Sequence, residues 1–401
     1  MEHGFTLLIT KLILNNKNYL ATALYQEKRL LEISLEYQDS QSILGNIYVG
    51  RVRDVVKNLN AAFIEIAPGV RCYFDLEDLK NPLYVKKVNS PRMVQGDEVV
   101  VQVIREKSKG KPPRVGTKLN FSGKYLVLTS ENESLSFSRK LDAETKKRLK
   151  KTLKLEEKSE FGIIVRTNAA HAAVEEIERE YERLKQEYLN LKKTAYYRTA
   201  FSCLKREMPD YLHVLQDMRE EQMDVIITDE REIYEQVQMY LQQFPRQECT
   251  LKYYEDAILP LRKLYSLEMG IEKALHERVW LKSGGYLVIQ PTEALTVIDV
   301  NSGKSIAKKK VQEHYLKINL EAAEEILHQI RLRNLSGIII VDFINMESQE
   351  NNELLLKTLR ANARTDRIPI QILGMTKLNL VEITRKKVKK PLLELINEKN
   401  P

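Results

Sequence analysis

Two short apolar runs in the C-terminal third each end in an aspartate, and a helical pattern lies between them. The first is Leu295-Thr296-Val297-Ile298-Asp299-Val300-Asn301, and the second is Gly337-Ile338-Ile339-Ile340-Val341-Asp342-Phe343. Between them, residues 311–335 place Leu316, Leu320, Ala323, Ile326, Leu327 and Ile330 at helical spacing, with Asn334 and Gly337 as terminators. A strand–helix–strand order predicts two parallel strands in one sheet. Both aspartates then reach the same carboxyl edge. Asn301 shares the face of Asp299, whereas Ile298 and Val300 turn to the core. Paired carboxylates at such an edge suit a Mg²⁺ ion. The same pattern also describes solvated acids at the edge of an ordinary α/β layer.

Elsewhere the pattern alternates. In residues 11–36, apolar and polar runs flank Asn15-Asn16-Lys17-Asn18, which predicts a hairpin. Short strands are expected at 45–52, 62–66, 71–74 and 98–104, with Pro68-Gly69 turning the chain between the second and third. That spacing predicts a small barrel of the OB type. Such barrels hold single strands by stacking bases on aromatics over a basic surface. Phe63 and Tyr73 are the candidate aromatics, with Arg51, Arg53, Lys57 and Arg71 nearby, although aromatics in strands also serve as core. Residues 105–118 form a basic loop whose Gly110, Pro112, Pro113 and Gly116 exclude helix or central strand. Its Lys107, Lys109, Lys111, Arg114 and Lys118 are either phosphate contacts or a solvated linker. Strands are expected at 124–129 and 161–167. A long helix over 170–207 follows, with Val174, Ile177, Tyr181, Leu184, Tyr188 and Leu191 at heptad spacing and Pro209 as its end. It reads as an arm folded back on its own domain. Strands at 223–228 and 249–254 with a helix between, a helix at 348–363, and strands at 368–373 and 380–384 complete the pattern.

Composition narrows the classes. Hydrophobic residues are 43% and charged residues 30% of 401, which predicts several globular domains. The absence of a long apolar stretch predicts no membrane span. Neither a secretory pattern at the N-terminus nor a cysteine pair is present, since Cys72, Cys203 and Cys249 are scattered. A reducing, cytoplasmic setting is therefore expected. The net charge of +8 points to a polyanionic partner, most simply nucleic acid. Lys304, Lys308, Lys309 and Lys310 follow the first aspartate as either backbone contacts or a solvated run. The six histidines show no ligand spacing.

Several segments together resemble the ribonuclease E/ribonuclease G family, over nearly the whole chain. They are GNIYVGRV at 45–52, AAF at 61–63, SGKYLVL at 122–128, IIVRT at 163–167, EALTVIDVNSGKS at 293–305, NLEAAEEI at 319–326, RLRNLSGIIIVDFINM at 331–346 and LGMTKLNLVEITRKK at 373–387. The resemblance implies a multidomain α/β fold. An RNase H-like domain would be split between 1–37 and 211–274. An S1-type OB barrel would occupy 38–117, a 5′-sensor with its helical arm 118–210, a DNase I-like catalytic subdomain 275–390, and a short tail 391–401.

The resemblance also implies roles. Asp299 and Asp342 would hold Mg²⁺, with Mn²⁺ as an alternative and Asn301 in support. Phe63, Tyr73 and Lys111 would contact RNA. Gly123, Val127, Arg166, Thr167 and Arg385 would form a pocket for a 5′-monophosphate. The expected activity is Mg²⁺-dependent cleavage of single-stranded RNA to 5′-phosphate and 3′-hydroxyl ends, in RNA processing and decay. A non-catalytic RNA-binding protein is the alternative. The family's CPxC zinc motif has no counterpart, because 388–396 reads VKKPLLELI. No zinc is therefore expected, and a homo-oligomer would be held by other contacts.

Overall fold

The computed structural model describes residues 4–38, 42–107, 110–130, 134–153, 160–218, 223–244, 249–303 and 311–397. Lys109, Lys304, Lys308, Lys309 and Lys310 lie outside them. The chain divides into two compact units, Ser42–Asp217 and the remainder, Met1–Gln41 with Met218–Pro401. No described helix is long and apolar enough to cross a membrane.

In the unit Ser42–Asp217, five strands close on themselves. Ile47–Val56 pairs with Ala61–Ala67, which pairs with Val70–Asp75. Val70–Asp75 runs parallel to Arg114–Gly116, which returns through Glu98–Arg105 to Ile47–Val56. A closed five-strand ring of this order is consistent with an OB or S1 barrel. The basic loop thus departs from expectation, since its last residues form the closing strand. Val115 is fully buried in the barrel core, and the two prolines only precede it, with the Pro113 carbonyl accepting from the Tyr73 N–H at 2.7 Å. Closure of the ring overrides local composition.

Beside the barrel in this unit, Asn120–Ser122, Leu126–Thr129, Gly162–Val165 and Leu135–Phe137 make a four-stranded sheet. The helix Val174–Ala195 covers it with Ile177, Tyr181, Leu184, Tyr188 and Leu191, the predicted stripe, and joins their shared core. The helix is shorter than the periodicity predicts. Phe201 adopts a positive φ of 76°, its N–H donates to the Val49 carbonyl at 2.7 Å, and Cys203–Lys205 then pairs with Ile47–Val56 as a strand. Pro209 instead precedes a second helix, Asp210–Asp217.

In the other unit, the hairpin Phe5–Leu14 and Lys17–Gln26 turns through Asn15 and Asn16, both at positive φ. That is the two-residue turn whose twist suits antiparallel strands. Arg29–Tyr37 extends one side of this sheet. On the other side Met223–Thr228, some two hundred residues downstream, runs parallel to Phe5–Leu14 and is followed by Thr250–Tyr253.

A second sheet in this unit has six strands, in the order Arg278–Trp280, Tyr286–Pro291, Leu295–Asn301, Gly337–Asp342, Leu380–Arg385, Ile370–Met375. Among the described residues of this sheet the only parallel pair is the predicted one, Leu295–Asn301 with Gly337–Asp342. Helices Val311–Leu332 and Gln349–Ala363 share a core with one face of this sheet, including Ile298, Val300, Ile339, Val341, Ile326 and Leu355. The first helix buries more than the predicted stripe. Leu316 and Leu320 are only partly buried, whereas Ile318, Asn319 and Ala322 are fully buried.

Candidate active site

The alternation of the strands decides where the acids point. Thr296, Ile298 and Val300 are buried beneath the helices, so Asp299 and Asn301 project from the opposite face. Gly337–Asp342 alternates in the same sense, with Ile339 and Val341 inward and Asp342 outward. Asp299 and Asp342 are direct register partners across the parallel pair. Their backbones therefore lie one strand spacing apart, ~4.8 Å, with both side chains on one face. Both are exposed, and neither forms an ion pair with a cation among the described residues.

Neighbouring groups hold the two acids in place. The Asn301 amide Nδ2 donates to Asp299 Oδ2 at 2.7 Å. Gly285 permits the adjacent strand to approach, since a Cβ there would lie 2.7 Å from the Asn301 carbonyl oxygen. Behind Asp342, Asn319 is fully buried and makes two bonds with one residue. Its Nδ2 donates to the Ile344 carbonyl at 2.8 Å, and its Oδ1 accepts from the Ile344 N–H at 3.1 Å. The segment leaving Asp342 is thereby tied to the helix. Hydrophobic periodicity did not single out Asn319. The available signal was an amide set among apolar residues in a helix.

The donor set suits a hard divalent cation. Two carboxylates and a neutral amide offer oxygen ligands, and Mg²⁺ takes one or two carboxylates while keeping water or phosphate in its remaining positions. Among the described residues no cluster of three or more His, Cys, Asp or Glu forms a denser ligand set. Two of the described histidines lie against partners within the fold, His328 with its Nε2 2.8 Å from the Leu30 carbonyl oxygen and His213 with its Nε2 3.2 Å from a Glu207 carboxylate oxygen.

The remaining candidates divide between the units. In the barrel, Ile64, Cys72 and Phe74 fill the core, which places Phe63 and Tyr73 on its outside. These two are register partners whose rings meet edge to face at 6.2 Å. The Arg114 guanidinium lies 5.9 Å from the Tyr73 ring while pairing with Asp78 at 2.9 Å, and Lys111 is exposed. Three of the four cations expected beside the aromatics are paired with carboxylates. Arg51 meets Glu98 at 2.8 Å, Arg71 meets Asp54 at 3.6 Å, and Arg53 meets Glu65.

Gly123, Val127, Arg166 and Thr167 come together at one end of the four-stranded sheet. Arg166 donates to the Gly123 carbonyl at 2.6 Å and pairs with Asp217, and Thr167 Oγ1 is 3.2 Å from Ser138 Oγ. Val127 pairs with Ile164 and Ser122 in the sheet. Glu180, a residue that hydrophobic periodicity does not mark, organises this end. Its carboxylate is 4% exposed and accepts from the backbone N–H groups of Lys124, Tyr125 and Leu126 at 2.7, 2.7 and 2.9 Å. Position 123 must be glycine for this arrangement, because a Cβ would sit 2.4 Å from the Glu180 carboxyl carbon. A carboxylate inside an otherwise apolar helical stripe was the signal. Arg385 belongs to the other unit, where it is 4% exposed and donates to Asp366 at 3.1 Å, Asn334 at 2.7 Å and the Leu335 carbonyl at 3.1 Å. Those surroundings suit a buried strut.

The family model for the ribonuclease E/G family matches residues 120–388. Ribonuclease E of Nostoc sp. is 32% identical over 400 residues, covering 98% of this chain and 58% of that protein. Ribonuclease G of Haemophilus influenzae is 31% identical over 393 residues, covering 94% of this chain and 79% of that protein. Ribonuclease G of Escherichia coli is 29% identical over 384 residues, 93% of this chain and 78% of that protein. The chain thus spans somewhat over half of the Nostoc protein and more than three quarters of the other two. With the family model covering the barrel-flanking sheet through the paired aspartates, the chain belongs to the ribonuclease E/G family.

Proposed function

We propose that this chain is an endoribonuclease acting on single-stranded RNA in RNA processing and decay, with Asp299 and Asp342 holding Mg²⁺ at the scissile phosphate. The observation that carries the reading is the register pairing of two exposed aspartates that lack a cation partner among the described residues. The names of the relatives and the net charge of +8 support it. When bound, the cation would neutralise phosphate charge and lower the pKa of a coordinated water. Mn²⁺, which favours the same oxygen donors, would substitute. Asn301 fixes the Asp299 carboxylate by its hydrogen bond, and Asn319 fixes the backbone leaving Asp342. In-line attack of water on phosphorus forms one P–O bond and breaks the bond to the 3′-oxygen. The products carry a 5′-phosphate and a 3′-hydroxyl.

The rest of the chain is read as substrate handling. Phe63 and Tyr73 stack bases outside the barrel, and Lys111 meets the backbone. A preference for 5′-monophosphorylated RNA is assigned to Arg166, Thr167, Gly123 and Val127, because an Arg fork suits a terminal phosphate. Arg385 supports its own sheet in this reading. The order of the five-stranded sheet, with two returning parallel strands beside an N-terminal meander, supports an RNase H-like domain. The six-stranded sheet with helices on one face supports the DNase I-like subdomain.

Incubating a fluorescent single-stranded oligoribonucleotide with the protein, in Mg²⁺ and in EDTA, tests the proposal. Internal cleavage in Mg²⁺ that stops in EDTA is expected. Salt-sensitive binding with no cleavage in either buffer would establish a non-catalytic RNA-binding protein instead.

A further inference from the structure

The face of the six-stranded sheet that carries the aspartates also carries the chain's only tryptophan. Val279 turns inward to the core, so its neighbours Arg278 and Trp280 project from the open face. Trp280 is 65% exposed, a large apolar area to leave in water. Register pairing sets two rows across this face. One runs Trp280, Tyr286, Asn301, and the next runs Arg278, Val288, Asp299, Asp342. Trp280 is therefore two strand spacings from Asn301, roughly 10 Å. The Trp280 and Tyr286 rings are 5.2 Å apart, and the Arg278 guanidinium lies 4.5 Å from the Tyr286 ring and 5.8 Å from that of Trp280. Among the described residues Arg278 has no carboxylate partner.

Resting on the ribonuclease reading, we propose that Trp280, Tyr286 and Arg278 form a base-stacking platform for an unpaired nucleotide of the RNA beside the cut. Each component matches one part of a nucleotide. An exposed indole and phenol offer flat surfaces on which any base stacks, and the free guanidinium meets the phosphate that links it to the scissile one. The carboxylates alone repel RNA, so a cation and a stacking surface in adjoining rows supply the attraction that seats the strand over them. The platform makes no base-edge hydrogen bonds, and so it selects unpaired over paired RNA rather than a sequence. A duplex hides its base faces.

Because Trp280 is the only tryptophan, its fluorescence reports on this surface alone. The full chain is titrated in EDTA with a single-stranded oligoribonucleotide, and binding is followed by anisotropy of an end label. Saturation is expected to quench the tryptophan emission. An oligonucleotide of abasic residues is expected to bind without quenching it. Trp280→Ala should weaken binding of the normal strand by roughly 5- to 150-fold, with Trp280→Phe restoring most of the loss. In Mg²⁺, moving one abasic residue along a substrate with a fixed cut should slow the wild type at one position and leave Trp280→Ala indifferent there. Emission that stays unmoved at saturation, with cleavage intact in Mg²⁺, overturns the platform and leaves the nuclease reading standing. Quenching by RNA in a protein that never cleaves it overturns the nuclease reading and keeps the stacking surface.

Discussion

Asn319 offers a perturbation whose sign can be worked through. Its side chain is fully buried and completes both hydrogen-bonding groups of the Ile344 backbone, two residues past Asp342. Asn319→Ala orphans an N–H and a C=O, each costing ~1–3 kcal/mol when water cannot replace the partner. Ile344 is half-buried, so water recovers part of that, and a net loss of about 2–3 kcal/mol is expected. Asn319→Asp separates geometry from volume. Its ionised carboxylate accepts from the Ile344 N–H but opposes the Ile344 carbonyl oxygen. Its protonated form reproduces both native bonds. The carboxyl in that variant should therefore titrate above the ordinary aspartate range. A folded-state pKa raised in this way stabilises most below the unfolded value, and the contribution is lost as pH rises through the folded value. Urea midpoints across pH, with cleavage rates at saturating RNA, make the assay. Asn319→Asp should approach the wild type as pH falls, whereas Asn319→Ala should not. Wild-type stability and turnover in Asn319→Ala would refute the argument.

Three further outcomes are expected. Glu180→Ala leaves three buried amide N–H groups without their acceptor, a loss of about 3 kcal/mol or more, measured by urea unfolding. Arg166→Ala should slow cleavage of 5′-monophosphorylated RNA selectively, and an equal loss on 5′-hydroxyl substrates would remove the sensor role. Burial pushes the Glu32 carboxyl up, but the Arg367 and Arg331 guanidiniums outweigh it and hold it at about 2 instead of 4.5. Its stabilisation, on the order of 3 kcal/mol, is present above pH 4.5 and fades as pH falls toward 2. Glu32→Gln should flatten that part of the acid unfolding curve.

Which parts of this molecule were legible from sequence follows from what each depends on. The aspartate-bearing strands and the helix between them were legible because a period of two and a period of 3.6 are local signals. The Asn15-Asn16 turn was legible because its residues tolerate positive φ. The end of the long helix was not. No proline or glycine stands at 196–202, and the reversal depends on Phe201 bonding to a strand some 150 residues earlier in the chain. The closing strand Arg114–Gly116 was hidden for the same reason, since only the finished ring gives it partners. Of the site, the candidate ligands Asp299 and Asp342 were visible as acids at strand ends. Asn319, which ties down the segment after Asp342, and Glu180, which organises the Arg166 end of the other unit, were not, because a buried polar residue is recognised by its partners and a pattern of apolar positions carries none. The cationic surface expected around Phe63 and Tyr73 was overestimated, because counting arginines does not count the carboxylates that neutralise them.

The central claim is that Asp299 and Asp342 together hold the catalytic cation. The direct measurement is the cleavage rate of a single-stranded oligoribonucleotide as Mg²⁺ is titrated, for wild type, Asp299→Asn and Asp342→Asn, with RNA affinity measured in parallel. Loss of either ligand should exceed the ~10–100-fold penalty typical of a group that only supports one. RNA affinity in EDTA should be nearly unchanged. Turnover in either variant that matches the wild type at the same Mg²⁺ concentration would contradict the account.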